Sequence, residues 1–342
     1  MKNKLFIGAW LLTGLARSAF SQGGIYGYPF EVPADPRSFA MGESFVALSS
    51  NPAALMYNPA GLAGLSGIRV SYSQRTLDAD NNWTLRSFNA VAGTPFGVFG
   101  VQYNRDSYGT FPLTMTGGEQ PVVDTYDYDI AMGYAVGLGR GFSVGVAAKY
   151  YDYEGNASTF PSSPARLFDI GFTYTFRRFH SQTTVEDSIT IGMSYQNIGS
   201  AWSKQYTGIH IPELDLPHWF PQYFRAGLSY ALRVLPRNEA DPSPLEAALS
   251  GEFRSLQTDP YPSSGISEWG LGLECTIEEF LSLRAGTTSI DGINERWLFR
   301  WGGAVRLPVH KLGFDLLLQY GRIPEYSFSA FSIDLQYYGW PY

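Results

Sequence analysis

The stretch Tyr126-Asp127-Tyr128-Asp129-Ile130-Ala131-Met132-Gly133-Tyr134 alternates without a break: even positions are large and apolar, odd positions small or acidic. Successive side chains of an extended strand point to opposite faces, so this run presents one greasy face and one polar face. Phe142, Val144, Val146, Ala148 and Tyr150 repeat the pattern with Lys149 opposite. Phe168, Ile170, Phe172, Tyr174 and Phe176 repeat it again, opposed by Asp169 and Arg177. Applied from residue 68 onward, the same rule predicts fourteen strands, near 68–75, 83–94, 97–105, 126–136, 141–151, 166–177, 188–199, 222–234, 244–254, 266–276, 280–289, 297–307, 312–321 and 327–338. Their mean length of about eleven residues suits a tilted membrane-crossing strand. The second is the least regular, because Arg86 shares a face with Phe88, and a bulge is expected there.

Charge parity separates a membrane barrel from a soluble sandwich. From the fourth strand on, Asp127, Asp129, Lys149, Asp169, Arg177, Arg225, Arg233, Glu246, Glu252, Arg254, Glu268, Glu274, Arg284, Arg300, Arg306, Asp315 and Asp334 all fall on the polar face. Only Arg166, at a strand end, falls on the apolar one. A Lys or Arg facing lipid at the midplane costs about 2–4 kcal/mol, enough to clear that face of charge. The apolar faces are also aromatic, with Trp297, Phe299 and Trp301 on one strand, which suits lipid and its interface. Gaps between strands alternate too, at about 7, 20, 14, 22, 11, 7 and 5 residues on one side and about 2, 4, 10, 9, 3 and 4 on the other. The expected fold is therefore an all-β membrane protein, a 14-stranded antiparallel transmembrane β-barrel. Short turns belong on the periplasmic side of an outer membrane, and an even strand count then leaves both termini there.

Composition agrees. Of 342 residues, 16% are charged and 16% aromatic, and a disordered chain would reverse that balance. The net charge of −7 offers nothing to a nucleic-acid backbone. One cysteine, Cys275, permits neither an internal disulfide nor a cysteine-based zinc site. His180, His210, His218 and His310 are scattered, so neither a metal nor a cofactor is expected. Residues 1–21 carry Lys2 and Lys4, an apolar stretch from Leu5 to about Leu15, and Ala19-Phe20-Ser21, which read as a signal peptide cleaved before Gln22.

Residues 22–66 do not alternate and are expected to form an N-terminal helical hatch, with the barrel proper spanning 67–342. Arg37-Ser38-Phe39-Ala40-Met41-Gly42-Glu43-Ser44-Phe45-Val46-Ala47-Leu48 has spacing compatible with a short helix. Asn51 reads as the N-cap of another, with Pro52 at its first position, and Asn58-Pro59-Ala60-Gly61 restarts the device. Such an apolar segment needs cover, either the lumen or the underside of the barrel. The lumen is nearest.

The run from Pro36 to Leu65, with Arg37-Ser38, Ala40-Met41-Gly42, Phe45-Val46-Ala47-Leu48 and Tyr57-Asn58-Pro59-Ala60-Gly61-Leu62-Ala63, resembles the N-terminal signature of PorV/PorQ-type outer-membrane proteins. It departs from that signature at Ser49-Ser50-Asn51-Pro52, where acidic residues usually follow. The resemblance implies a FadL-like fourteen-stranded barrel filled by an N-terminal hatch.

The inward charges Asp127, Asp129, Lys149, Asp169, Arg225, Glu246, Glu252, Glu268, Glu274, Arg284, Arg300, Arg306, Asp315 and Asp334 mix both signs. A selective water-filled pore tends to show one sign, so a paired, plugged interior is expected. Gly137-Leu138-Gly139-Arg140-Gly141 is a hairpin turn, not a phosphate cradle, and no catalytic grouping is evident. The longest gap holds Trp202, Tyr206, Trp219 and Phe220, an apolar set that would serve a protein partner or a lipid-like ligand. Three readings stay open beside a shared partner, the membrane lipid. Resemblance to PorV implies a component of the type IX secretion system that handles exported cargo proteins. A FadL-like barrel implies transport of long-chain fatty acids or other hydrophobic compounds. The third is a structural barrel without transport.

Overall fold

The computed structural model describes residues 35–48, 51–77, 84–112, 122–155, 165–179, 185–199, 222–235, 243–257, 267–290, 297–309, 313–324 and 328–337. The signal peptide, the four histidines, and Trp202, Tyr206, Trp219 and Phe220 lie outside the described residues. Fourteen strands follow one another: β1 (Ile68–Leu77), β2 (Thr84–Thr94), β3 (Gly97–Pro112), β4 (Val122–Gly139), β5 (Phe142–Gly155), β6 (Ala165–Phe179), β7 (Val185–Gly199), β8 (Gln222–Val234), β9 (Leu245–Gln257), β10 (Ser267–Ile277), β11 (Leu281–Ile290), β12 (Trp297–Val309), β13 (Phe314–Ile323) and β14 (Phe328–Tyr337). Each pairs antiparallel with its neighbours in sequence, and β1 pairs with β14 from Ile68↔Tyr337 to Leu77↔Phe328. Closure leaves no sheet edge, so every strand finds its hydrogen bonds within the wall.

Alternation is the wall's organising rule. Met132 is 62% exposed while its neighbour Ala131 is fully buried. Phe168, Ile170 and Phe172 face outward, and Asp169 and Gly171 between them are buried. The arrangement inverts a soluble protein, with large hydrophobics outside and charge inside. No helix among the described residues is long and apolar enough to cross a membrane. The strands make the apolar belt.

Two expectations need correction. Arg86 faces outward beside Phe88 without any slip, for β2 runs in unbroken register against both neighbours. The irregularities sit elsewhere, between Ser107 and Thr110, between Gly137 and Gly139, and between Phe168 and Ile170. The last is a bulge at Asn197 of β7 (φ 59°), whose backbone N–H donates to Asp169 Oδ1 at 2.8 Å. The predicted gap of residues 106–125 is also too long: β3 continues to Pro112 and β4 begins at Val122. The irregular pairing at Ser107 and Thr110 breaks the alternation that would have revealed that extension.

The N-terminal segment from Asp35 to Leu65 lies inside the ring. Only Pro36–Ala40 is α-helical (α1), against a predicted helix reaching Leu48. Gly42 (φ 63°) and Glu43 (φ 59°) are both left-handed, which ends the helix. A Cβ at position 42 would sit 2.5 Å from the Leu271 and Thr287 carbonyl oxygens, so only glycine fits. The two Asn-Pro devices behave as predicted but wind as 3₁₀ turns, Pro52–Met56 and Pro59–Gly64. Asn51 Oδ1 accepts from Ala53 N at 2.8 Å and Asn58 Oδ1 from Ala60 N at 3.1 Å. Single-turn lengths favour this tighter helix.

If the outward face meets lipid, Leu271→Arg near the middle of β10 costs about 2–4 kcal/mol and Ile277→Arg at its end about 0–1 kcal/mol. Equilibrium unfolding in phospholipid vesicles measures both, and equal costs would overturn the lipid-facing assignment.

Candidate functional site

A ring whose outer face is largely apolar holds most of its charges inside, and the N-terminal segment supplies partners for several of them. Arg37, on α1, donates through Nε to both oxygens of Glu274 at 3.1 Å and through Nη2 to Oε2 at 2.6 Å. Arg284 donates to the same carboxylate at 2.7 Å and to Gln319 at 2.8 Å, and Gln319 hydrogen-bonds to Asp334. This network thus joins the segment to four strands, β10, β11, β13 and β14. Asp35 caps α1, accepting from the backbone N–H groups of Arg37 and Ser38, and also from Asn51 Nδ2 at 3.1 Å.

A second junction centres on Glu43, which is 8% exposed. Its two oxygens lie 2.6 Å from Arg300 Nη1 and 3.0 Å from Arg254 Nη1, and Arg254 also pairs with Glu268. Burial works against the Glu43 charge, but Arg300 and Arg254 outweigh it and hold its carboxyl below the usual carboxylate range. At a third junction Glu252 Oε2 accepts from the backbone N–H groups of Phe45 and Val46, both at 2.7 Å. Its other oxygen accepts from Arg225 at 2.8 Å, and Arg225 continues to Gln196, which donates to the Met56 carbonyl at 2.6 Å. Asn58 Nδ2 donates to the Val46 carbonyl at 2.8 Å and the Phe172 carbonyl at 3.0 Å. Met41, Phe45, Leu48, Ala53, Met56 and Tyr57 form the segment's own buried cluster.

The predicted inward charges fall into three groups. Arg225, Glu252, Glu268, Glu274, Arg284 and Arg300 join these junctions. Asp127, Asp129, Lys149 and Asp169 stay on the wall: Lys149 pairs with Asp169 at 2.7 Å, Tyr151 donates to Asp127 at 2.6 Å, and Asn104 to Asp129 at 3.0 Å. Glu246, Arg306, Asp315 and Asp334 line the nearer of two adjoining cavities, of about 390 and 410 Å³, at the short-turn end. Both cavities share Arg37, Arg233, Glu246, Glu274 and Thr276, so this end is a charged vestibule. Of the signature residues, Arg37 makes its contact through its side chain, Asn51 and Asn58 cap turns, and Met41 and Phe45 pack. Pro59 and Ala60 press their backbone against Gly145 of β5, where a Cβ would collide.

Sequence reasoning missed Glu43, the hub of one junction. Its signal was available: a lone carboxylate in the apolar run 38–48 demands a cation once buried. It also missed Arg75 on β1 and Asp106 on β3, both buried and facing the lumen, because parity was counted only from the fourth strand.

Glu252→Gln leaves Arg225 buried without its anion and is expected to destabilise by about 3–5 kcal/mol, with faster amide exchange at Phe45 and Val46. The depressed Glu43 pKa gives a second expectation. Its stabilisation is present above the ordinary value of 4.5 and is lost only as pH falls through the lower folded value. Conductance of single barrels in planar bilayers should therefore stay low at mildly acid pH and step upward only below the usual carboxylate range, and Glu43→Gln should abolish that step.

No family profile matches the chain, and no characterised protein matches it in sequence. Solved structures do resemble it in fold. The CymD monoaromatic hydrocarbon channel aligns with a TM-score of 0.51 at 13% identity, over 91% of this chain and 99% of that one. The Ralstonia pickettii toluene transporter TbuX aligns with a TM-score of 0.50 at 12% identity, over 88% and 96%. A deltaS2 mutant of the TodX monoaromatic hydrocarbon channel gives 0.50 at 11% identity, over 88% and 96%. The chain therefore shares the fold of these channels, a closed antiparallel β-barrel that here has fourteen strands.

Proposed function

We propose that this protein is an outer-membrane transport barrel for small hydrophobic compounds, with residues 35–66 as a hatch and both termini in the periplasm. The observation that carries the reading is the closed bore. Asp35 to Leu65 occupies the ring and is tied to the wall through Arg37–Glu274, Glu43–Arg254–Arg300 and Glu252. A general diffusion pore needs open water, whereas a stoppered barrel suits a compound whose binding shifts the hatch. The toluene transporter TbuX and the monoaromatic hydrocarbon channel CymD share the architecture and support this class of cargo. The connection from 200 to 221, with Trp202, Tyr206, Trp219 and Phe220, supplies the apolar residues such a compound would meet first. On the β7 to β12 side the hatch is held by polar contacts that water can replace, while Leu55, Leu62 and Leu65 pack against Val91, Val98, Ala135 and Ala147 on the opposite side.

The Pro36–Leu65 signature favours a second reading, a PorV-type component of type IX secretion. The two part in one pair of measurements. In a strain deleted for this gene, initial uptake of radiolabelled toluene and oleate should fall and return on complementation, while surface display of cargo with a C-terminal sorting domain is unchanged. Normal uptake with lost surface cargo would replace the first reading by the second. Normal values for both would leave a structural barrel.

A further inference from the structure

Two like charges face each other on the outside of the wall. Arg86 of β2 and Arg105 of β3 are both exposed, and the register places them directly opposite one another. Like charges in that position repel and weaken the pairing. Their other cross-strand neighbours are Gln74 on β1 and Tyr128 on β4, neither of which can neutralise them. Among the residues whose side chains are described, the outward positions of β14 and β1 to β4 carry no carboxylate, and Asp152 of β5, opposite Tyr128, accepts from the Tyr150 hydroxyl at 3.3 Å. The Arg105 guanidinium lies 4.2 Å from the Tyr126 ring centroid, which holds it flat against the barrel.

Position narrows what could balance this pair. Both arginines lie toward the end that carries the long connections. Directly beneath them, Phe88 and Tyr103 form the next outward pair, 46% and 39% exposed. The patch thus joins two cations to apolar surface running down the wall. A lipid phosphate matches it. Its oxygens accept from two guanidinium groups at once, a geometry that arginine suits better than lysine, and its acyl chains continue along the apolar pair below.

We infer that Arg86 and Arg105 bind the phosphate head group of an anionic lipid in the outer leaflet, with its chains against Phe88 and Tyr103. The inference rests on the proposed orientation, with the long connections outermost, and not on what the barrel transports. It is tested on the full-length protein in a neutral detergent by native mass spectrometry with diphosphoryl lipid A, against phosphatidylethanolamine. The unaltered protein should retain lipid A in preference. Arg86→Gln with Arg105→Gln should weaken retention about tenfold or more, the loss expected when charged hydrogen bonds are removed. Arg177→Gln with Arg178→Gln, exposed at the opposite end, should leave it unchanged. Equal retention by the Arg86/Arg105 pair variant, an equal loss in the Arg177/Arg178 control, or full displacement by inorganic phosphate would each overturn the assignment. Should the Gln pair fail to fold, dephosphorylated lipid A on the unaltered protein decides, and undiminished retention would again overturn it. Normal hydrocarbon uptake by the Gln pair separates this result from the transport reading.

Discussion

The apolar belt around the middle of the wall admits no charge, and that constraint shapes most of what lies inside. Each strand has only two faces, so a residue barred from one must occupy the other. The lumen of a fourteen-stranded ring therefore collects Asp127, Asp129, Lys149, Asp169, Arg225, Glu252, Glu274, Arg284 and Arg300, all buried. Buried charges left unpaired are costly, and wall residues alone do not satisfy them all. The segment from Asp35 to Leu65 supplies further partners: Glu43 answers Arg254 and Arg300, Arg37 answers Glu274, and two backbone N–H groups answer Glu252.

That division of labour bears on how the bore is closed. An apolar plug in an apolar tube would be held by area, and its removal would expose that area to water. Here the segment is held in two ways: Met41, Phe45, Leu48, Ala53, Met56 and Tyr57 cluster among themselves, while Leu55, Leu62 and Leu65 pack against Val91, Val98, Ala135 and Ala147 of the wall and Phe39 against Leu85, Ile323 and Ala330. Toward the wall on the β7 to β12 side it presents charges, carbonyls and N–H groups. Where its backbone must come close, as at Gly42 against Leu271 and Thr287, side chains are absent. Such contacts are specific in position, and solvent can substitute for them.

Strands were legible because their physics is local. The period of two in Tyr126–Tyr134 or Phe168–Phe176 follows from the pleat of a single strand and needs no partner. Errors came where a neighbour intervened. The irregular pairing at Ser107 and Thr110 hides seven further residues of β3, and Arg86 on the apolar face suggests a slip that the unbroken register of β2 does not contain. The segment was less legible. Asn51-Pro52 and Asn58-Pro59 announced their turns through capping chemistry, but Gly42 and Glu43 adopt left-handed backbone only because the wall crowds them.

By itself, then, the sequence determined the number of strands and, from β4 onward, which face of each is apolar and which charged residues turn inward, because alternation acts within one strand. Tertiary structure alone decided which charge meets which. Arg37 and Glu274 stand 237 positions apart, and Phe45 and Glu252 stand 207 apart. No local rule links residues at such separation. Only closure of β1 on β14 creates the enclosed space in which they must find each other.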